Sequence, residues 1–398
     1  MDFELNETQK SVQKIMREFT EREVAPLAEE IDRKQEIPPE LMKKLADIGY
    51  FGMRYPEEYG GTNLDTVAEC VAIEELAKGS LSVAFAGTMQ AFQCTDFIYL
   101  FGSEEQKQEW LVPAVKGEKY GAFCLTEPGG GSDLSMLKTT VKVEGDNCII
   151  NGTKTFVTNG PVADWYITAV MAVKEKGFWG IDFIVVPKGT PGLLIGKNIP
   201  KTGLRGVKNC ELMYDDCKVP LKNALAGVGE GKGGAYLQGI LSEIRLITGA
   251  LGLGLTRAAL DVAMDYAGER VAFGQPISRW QGIAFKIATI ATELEAAKTF
   301  LYYSAWLMDK RIKEVGTVKG RMDPQVVKIS SMAKNFACEL AQRAVDEAMR
   351  IHGGYSMSEE MPVNRLWRDA GGLLWGGGTT EINNLIIVRE LYKERKRK

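Results

Sequence analysis

The stretch Phe123-Cys-Leu-Thr-Glu-Pro-Gly-Gly-Gly-Ser-Asp133 marks where the chain changes character. Before it, apolar residues recur at helical spacing: Val12, Ile15, Met16 and Phe19 make one stripe, and Met42, Leu45 and Ile48 another. The turn-rich segment Tyr55-Pro-Glu-Glu-Tyr-Gly-Gly61 interrupts them. Helices are expected near 66–79 and 84–101, and Ser103 reads as the N-cap of a short helix. After Asp133 come β-rich runs at 141–150, 154–158, 165–173, 181–187 and 210–219, separated by Asn-Gly, Gly and Pro punctuation. The helical period returns over 234–271, 280–314 and 324–352, with a last helix from about 380. Asp323-Pro324 reads as a helix start. The expected class is α+β: an N-terminal helical domain (1–120), a middle β-barrel or sandwich domain (121–232) and a C-terminal four-helix bundle (233–398).

Composition narrows the function classes. At 398 residues and 45% hydrophobic, the chain can bury a core without staples. A net charge of −3 offers no basic field for nucleic acid, and the basic end Lys393–Lys398 reads as a solvated helix terminus. The N-terminus carries acids early and no apolar stretch follows, so no secretory leader is expected. No apolar run reads as a membrane span. Seven cysteines, scattered and without a C-x-x-C pair, fit free thiols in a reducing, cytoplasmic setting and no zinc site. The single histidine, His352, excludes multi-histidine metal sites, and packing is its favoured role. No metal is expected.

Five segments carry chemistry. In 123–133, glycines bring backbone N–H groups close to a ligand, and Thr126 and Ser132 add hydroxyls. The pattern is not Gly-x-Gly-x-x-Gly entering a helix, so a Rossmann site is excluded. In Lys154-Thr-Phe-Val-Thr-Asn-Gly160, strand alternation puts Phe156 and Thr158 on one face, able to stack on and hydrogen-bond a flat heterocycle. Glu269-Arg-Val-Ala-Phe-Gly-Gln275 with Trp280-Gln281 offers an arginine beside an aromatic turn, suited to a pyrophosphate. Arg350-Ile-His-Gly-Gly354 is the fourth. In the fifth, Arg368 to Ile382, three glycines lead into Thr379-Thr380 and a helix, a phosphate-friendly start. Each alone also reads as an ordinary turn or core aromatic.

Together and in this order, the segments resemble the acyl-CoA dehydrogenase family across essentially the whole chain. The matching residues are Leu125-Thr-Glu-Pro-Gly, Gly-Ser-Asp133, Asn151-Gly-x-Lys, Thr158-Asn-Gly160, Arg270-x-x-Phe-Gly274, Ile351-x-Gly-Gly354 and Gly378-Thr-Thr-Glu-Ile382. The resemblance implies the family's three-domain fold, FAD as cofactor, an acyl-CoA substrate, a homotetramer and an electron-transferring flavoprotein as acceptor. It implies that Phe123, Leu125, Thr126, Gly131 and Ser132 wrap the flavin and that Phe156 and Thr158 cover its ring. Arg270, Phe273, Gln281, Arg350, Gly353 and Gly354 would meet its pyrophosphate and adenosine portions across a subunit contact. Thr379 and Glu381 would close the site, and Ser132, Arg245, Gly377 and Gly378 would touch the thioester.

In that family a carboxylate takes the Cα proton while hydride leaves Cβ for the flavin, and hydrogen bonds to the thioester carbonyl stabilise the enolate-like charge. The usual base is the Glu of Tyr-Glu-Gly-Thr. Here the aligned residues are Gly376-Gly-Gly-Thr379, so Gly377 stands at the base position. The alternative family position, directly before Arg245, holds Ile244. Two acids are candidates for a displaced base. Glu243 is one residue away, a turn of about 100° around a helix. Asp96 lies on the helix that lines the acyl pocket, i+3 from Gln93. Two adjacent glycines also leave room for a ring, and 1,4-elimination in a cyclohex-1-ene-1-carboxyl-type thioester, known from anaerobic alicyclic degradation, would place the base elsewhere, with Asp96 preferred. The alternatives are a conventional dehydrogenase inactivated by Glu→Gly replacement, a flavin- and CoA-binding protein, or an oxygen-using oxidase of the same fold.

Overall fold

In the computed structural model, residues 4–397 are described. The last residue of the basic tail lies outside them; the rest continues the final helix. The N-terminal part holds α1 (Glu7–Phe19), α2 (Thr66–Gly79), α3 (Leu81–Thr88) and α4 (Thr95–Phe101). Asn6 starts α1 with a capping box, and Asp65 caps α2 through Ala68 N–H. The expected continuous helix over 84–101 is split: Met89–Cys94 widens into a π turn between α3 and α4. Ser103 does cap the next short helix, with Gln106 completing the box.

The middle part is one curled seven-stranded sheet: β1 (Gly121–Cys124), β2 (Thr140–Glu144), β3 (Asn147–Thr158), β4 (Trp165–Met171), β5 (Ile181–Pro187), β6 (Leu193–Ile195) and β7 (Asn209–Pro220). β1 runs parallel to β4, while β5 lies antiparallel along β4 and β3 along β7. Every residue of β4 is buried because helices cover one face and the rest of the sheet curls over the other. β7 alternates instead, with Cys210, Leu212, Tyr214, Cys217 and Val219 inward. β3 carries two irregularities against β7, one between Lys154 and Val157, and this kink matters below.

The C-terminal part contains α5 (Gly233–Glu269), α6 (Gln281–Val315), α7 (Pro324–His352), α8 (Pro362–Trp375) and α9 (Thr380–Arg397). α8 was not among the expected helices. α5 is long and apolar enough to cross a membrane, contrary to the expectation that no run is. It is instead the core helix: most of its apolar stretch is buried by α2, α6 and α7. Its glycines allow this. A Cβ on Gly254 would sit 2.4 Å from the Glu74 carbonyl oxygen, and one on Gly252 3.0 Å from that of Ala337. His352 is buried in the last turn of α7, stacked on Tyr266 with ring centroids 4.3 Å apart and Nδ1 2.8 Å from the Ala348 carbonyl. Burial pushes its pKa down, as a packing residue requires.

Candidate functional site

Glu127 builds the first wall. It is buried where the glycine turn leaves β1, and its carboxylate accepts from Lys138 N–H, Thr139 N–H and the buried Lys154 ammonium. Lys154 also donates to the Leu125 carbonyl, and Thr155 N–H to that of Thr126. One buried ion pair therefore ties the 123–132 turn to the end of β3. The close fit of Gly131 against Thr126, where a Cβ would lie 3.2 Å from Cγ2, keeps the turn tight. Beyond Thr155 the strand kinks, and Phe156 takes φ +54 with 59% of its surface exposed. An aromatic residue in the left-handed region is uncommon and needs support. Asn209 provides it, donating to the Phe156 carbonyl and to the Thr158 hydroxyl, both at 3.1 Å. An exposed ring standing beside a hydroxyl and a glycine turn suits a flat heterocycle with polar edges. FAD fits this wall.

The second wall is the turn Gly376–Gly378. Asn159 Nδ2 reaches the Ala86 carbonyl of α3, and Phe85 lies beside Gly376, so the two walls are neighbours. Gly377 and Gly378 have φ of +67 and +93. A Cβ on Gly377 would lie 3.0 Å from Thr248 Oγ1 and 3.4 Å from Ile244 Cγ2. The turn thus packs directly on α5. Lys334, buried in α7, donates to the carbonyls of Leu374 and Gly378 at 3.0 and 2.9 Å and holds the turn in place. Thr379 Oγ1 accepts from Ile382 N–H as the start of α9, while the exposed Glu381 occupies that helix's first turn.

Arg245 follows Ile244 on α5. Its Nε donates to Asn383 Oδ1 at 3.0 Å, and Asn383 Nδ2 reaches the Gly378 carbonyl. Arg245 is 5% exposed, and its Nη1 has no hydrogen-bond partner. Among the described residues no carboxylate lies within ion-pair distance of it. Burial, with Arg389 nearby, pushes its pKa down to about 10, so it stays charged at neutral pH.

The two acids singled out from the sequence come together, but in a cluster of their own. Asp96 is fully buried, with Arg54 Nη1 at 3.3 Å and Arg321 Nη1 at 2.5 Å. Glu243 touches Arg54 and lies 2.7 Å from Arg321 Nη1. Glu69 completes the group, 2.6 Å from Arg54 Nη2. Burial pushes the Glu69 carboxyl up against the pull of Arg54; burial also opposes the charge on Arg54, which Glu69 and Asp96 nevertheless raise above its usual value. Three carboxylates share two guanidiniums, and both Glu243 oxygens and Asp96 Oδ1 lack a hydrogen-bond partner.

A third group stands apart. Arg270 lies over the Tyr355 ring at 5.8 Å, next to Gly353 and Gly354, and Phe273 tips the hairpin β8 (Val271–Ala272) and β9 (Gln275–Pro276). Phe273 is 93% exposed at φ +54 and touches Trp280 edge-on. Gln281 and Arg350 are exposed, Arg350 paired with Asp346. Among the described residues no hydrogen bond joins this group to the other two walls. Sequence reasoning missed Thr248, Lys334 and Asn383. Thr248 was accessible from its i+4 spacing to Ile244; the other two had no local signal.

Three family models match the chain: Acyl-CoA dehydrogenase, N-terminal domain over residues 6–118, middle domain over 122–217 and C-terminal domain over 231–392. Benzylmalonyl-CoA dehydrogenase of Aromatoleum aromaticum is 40% identical over 98% of this chain and 100% of its own length. Butyryl-CoA dehydrogenase from Megasphaera elsdenii superimposes with a TM-score of 0.90 at 36% identity, covering 98% of this chain and 100% of its own. A chain from the structure of the electron transferring flavoprotein of Acidaminococcus fermentans gives a TM-score of 0.91 at 36% identity, covering 98% and 99%.

Proposed function

The chain belongs to the acyl-CoA dehydrogenase family, FAD-dependent oxidoreductases acting on acyl-CoA, and we propose that it oxidises its thioester without a carboxylate at either of the family's base positions. The observation that carries this is the packing of the Gly376–Gly378 turn on Ile244 and Thr248. The base position lies in a left-handed turn pressed on α5, and the fallback position is an apolar side chain.

FAD, when bound, accepts two electrons and a hydrogen from the acyl chain. On this reading Thr126, Gly131, Ser132 and Thr158 hold its polar edges, Phe123 and Leu125 back the turn, and Phe156 covers the ring. Arg270, Phe273, Gln281, Arg350, Gly353 and Gly354 serve the FAD of a neighbouring copy in a homotetramer, with Thr379 and Glu381 at the turn. Gly377 and Gly378 line the acyl site. An electron-transferring flavoprotein is the proposed acceptor, supported by the similar chain from such a structure. Seven free, buried cysteines suit a reducing compartment.

A second reading puts a ring in the acyl site, with Asp96 or Glu243 as displaced base. In its favour, a Cβ on Gly376 would meet only ordinary contacts, 3.4 Å and beyond, so space is left where the family carries an aromatic. Against it stands the ion-pair cluster, which places both acids within ion-pair distance of Arg54 and Arg321.

Butyryl-CoA incubated in D2O with the FAD-loaded protein tests the main reading. Exchange of its α-hydrogens should not exceed the enzyme-free rate, while the flavin is bleached anaerobically by at least one of a panel of straight, cyclic and 2-carboxylated acyl-CoAs. Rapid α-exchange, or bound flavin that no thioester bleaches, would sink it.

A further inference from the structure

A buried guanidinium with no counter-ion is costly in a folded protein, where isolated buried charge is nearly always paired. Arg245 is such a group. It sits one residue from the apolar fallback position and one side chain from the glycine turn. Lys334 does not relieve it; its ammonium adds positive charge and is occupied by two carbonyls. Beside the acyl site the chain therefore offers buried positive charge at Arg245 and Lys334, while the buried acids Asp96 and Glu243 lie within ion-pair distance of Arg54 and Arg321 instead.

We infer that the substrate brings the missing carboxylate: it is a 2-carboxyacyl-CoA, a malonyl-type thioester whose carboxylate pairs with Arg245 and leaves as carbon dioxide. This rests on the proposed function and explains how oxidation proceeds without a base. The bond from Cα to the carboxylate breaks, and its electron pair passes onto Cα and into the thioester carbonyl. Two electrons and one hydrogen then pass from Cβ to the flavin. The products are an α,β-enoyl thioester, carbon dioxide and two-electron-reduced flavin, and no proton is taken from carbon. An ordinary family base delivered at Gly377 would be redundant, and its charge would compete with the substrate carboxylate for Arg245. The similar benzylmalonyl-CoA dehydrogenase is named for a thioester of this class.

The experiment uses FAD-loaded protein under anaerobic conditions with four probes: ethylmalonyl-CoA and benzylmalonyl-CoA, and their carboxylate-free counterparts butyryl-CoA and 3-phenylpropanoyl-CoA. The expected result is flavin bleaching by a carboxylated probe with one carbon dioxide released per flavin reduced, and none by the counterparts. Calorimetry supplies a readout besides turnover. Arg245→Gln should weaken binding of the carboxylated probe by about tenfold or more, the usual effect of losing a hydrogen bond to a charged group, and weaken that of 3-phenylpropanoyl-CoA by clearly less. Arg245→Lys should recover part of the loss. Bleaching by the counterparts alone, or bleaching without carbon dioxide, overturns the inference while acyl-CoA oxidation stands. Equal weakening of both probes by Arg245→Gln also overturns it. Flavin untouched by all four and by the wider panel removes the proposed function and the inference together.

Discussion

Gly377 shows how one backbone angle can set the chemistry open to a site. An L-residue at φ +67 costs about 1–2 kcal/mol before any packing is counted, and here its Cβ would also press on Thr248 at 3.0 Å. Gly377→Glu is therefore expected to lower stability by about 1–3 kcal/mol and to give no α-hydrogen exchange with butyryl-CoA. Thermal unfolding and exchange in D2O check the two halves. A stable variant that exchanges butyryl-CoA would mean that the turn readily adopts the family's conformation. The glycines were legible in the sequence as an absence of the expected acid. Their left-handed backbone and contact with α5 were not, because both depend on the packing of α5 nearly 130 residues away in the chain.

At the scale of elements, the cluster of Arg54, Glu69, Asp96, Glu243 and Arg321 fastens α2 and α4 to α5 and to the short helix Thr317–Arg321. Removing one member of a buried ion-pair group typically costs about 3–5 kcal/mol. Asp96→Ala is expected to lower the unfolding midpoint in urea by a corresponding amount, and Arg321→Met likewise. A catalytic base would behave differently, with bleaching lost at unchanged stability. A second link is Asp309 of α6, which accepts from the N–H and hydroxyl of Thr66 at the start of α2. Burial pushes its carboxyl up to about 6. Its pKa is thus higher folded than unfolded, so the folded state binds the extra proton between about pH 4 and 6, and stability falls as pH rises through that window. Relative to Asp309→Asn, the wild type should lose on the order of 2 kcal/mol between pH 4 and pH 7, read from urea titrations at both; a flat difference would refute the assignment. The long helices were legible because their apolar period is local. The cluster was not: Asp96 and Arg321 are 225 residues apart, and nothing near either predicts the other.

Among the described residues of the whole molecule, two aromatic residues stand in left-handed backbone with exposed rings, Phe156 on the first wall of the site and Phe273 at the tip of the β8–β9 hairpin. Phe156 has a job within its own chain if it covers the flavin. Phe273 has none: apart from the edge of Trp280 its ring faces water, and Val271 on the same hairpin is exposed as well. An apolar finger on a strained turn, flanked by Arg270 and the Gly353-Gly354 turn, is best explained by a second copy receiving it. The sequence resemblance led to the same residues but could not show that the chain leaves them uncovered. If the finger completes a neighbour's FAD site, Phe273→Ser should leave the fold of each subunit intact while weakening assembly and cofactor retention together. Light scattering after size-exclusion chromatography should show smaller species, and the 450 nm to 280 nm absorbance ratio should fall in the same fractions, with near-UV circular dichroism of the monomer preserved. Adding excess FAD should restore absorbance only where assembly is restored by higher protein concentration. A variant that stays assembled with full flavin would assign the finger to some other contact, and one that loses flavin while fully assembled would confine its role to the cofactor.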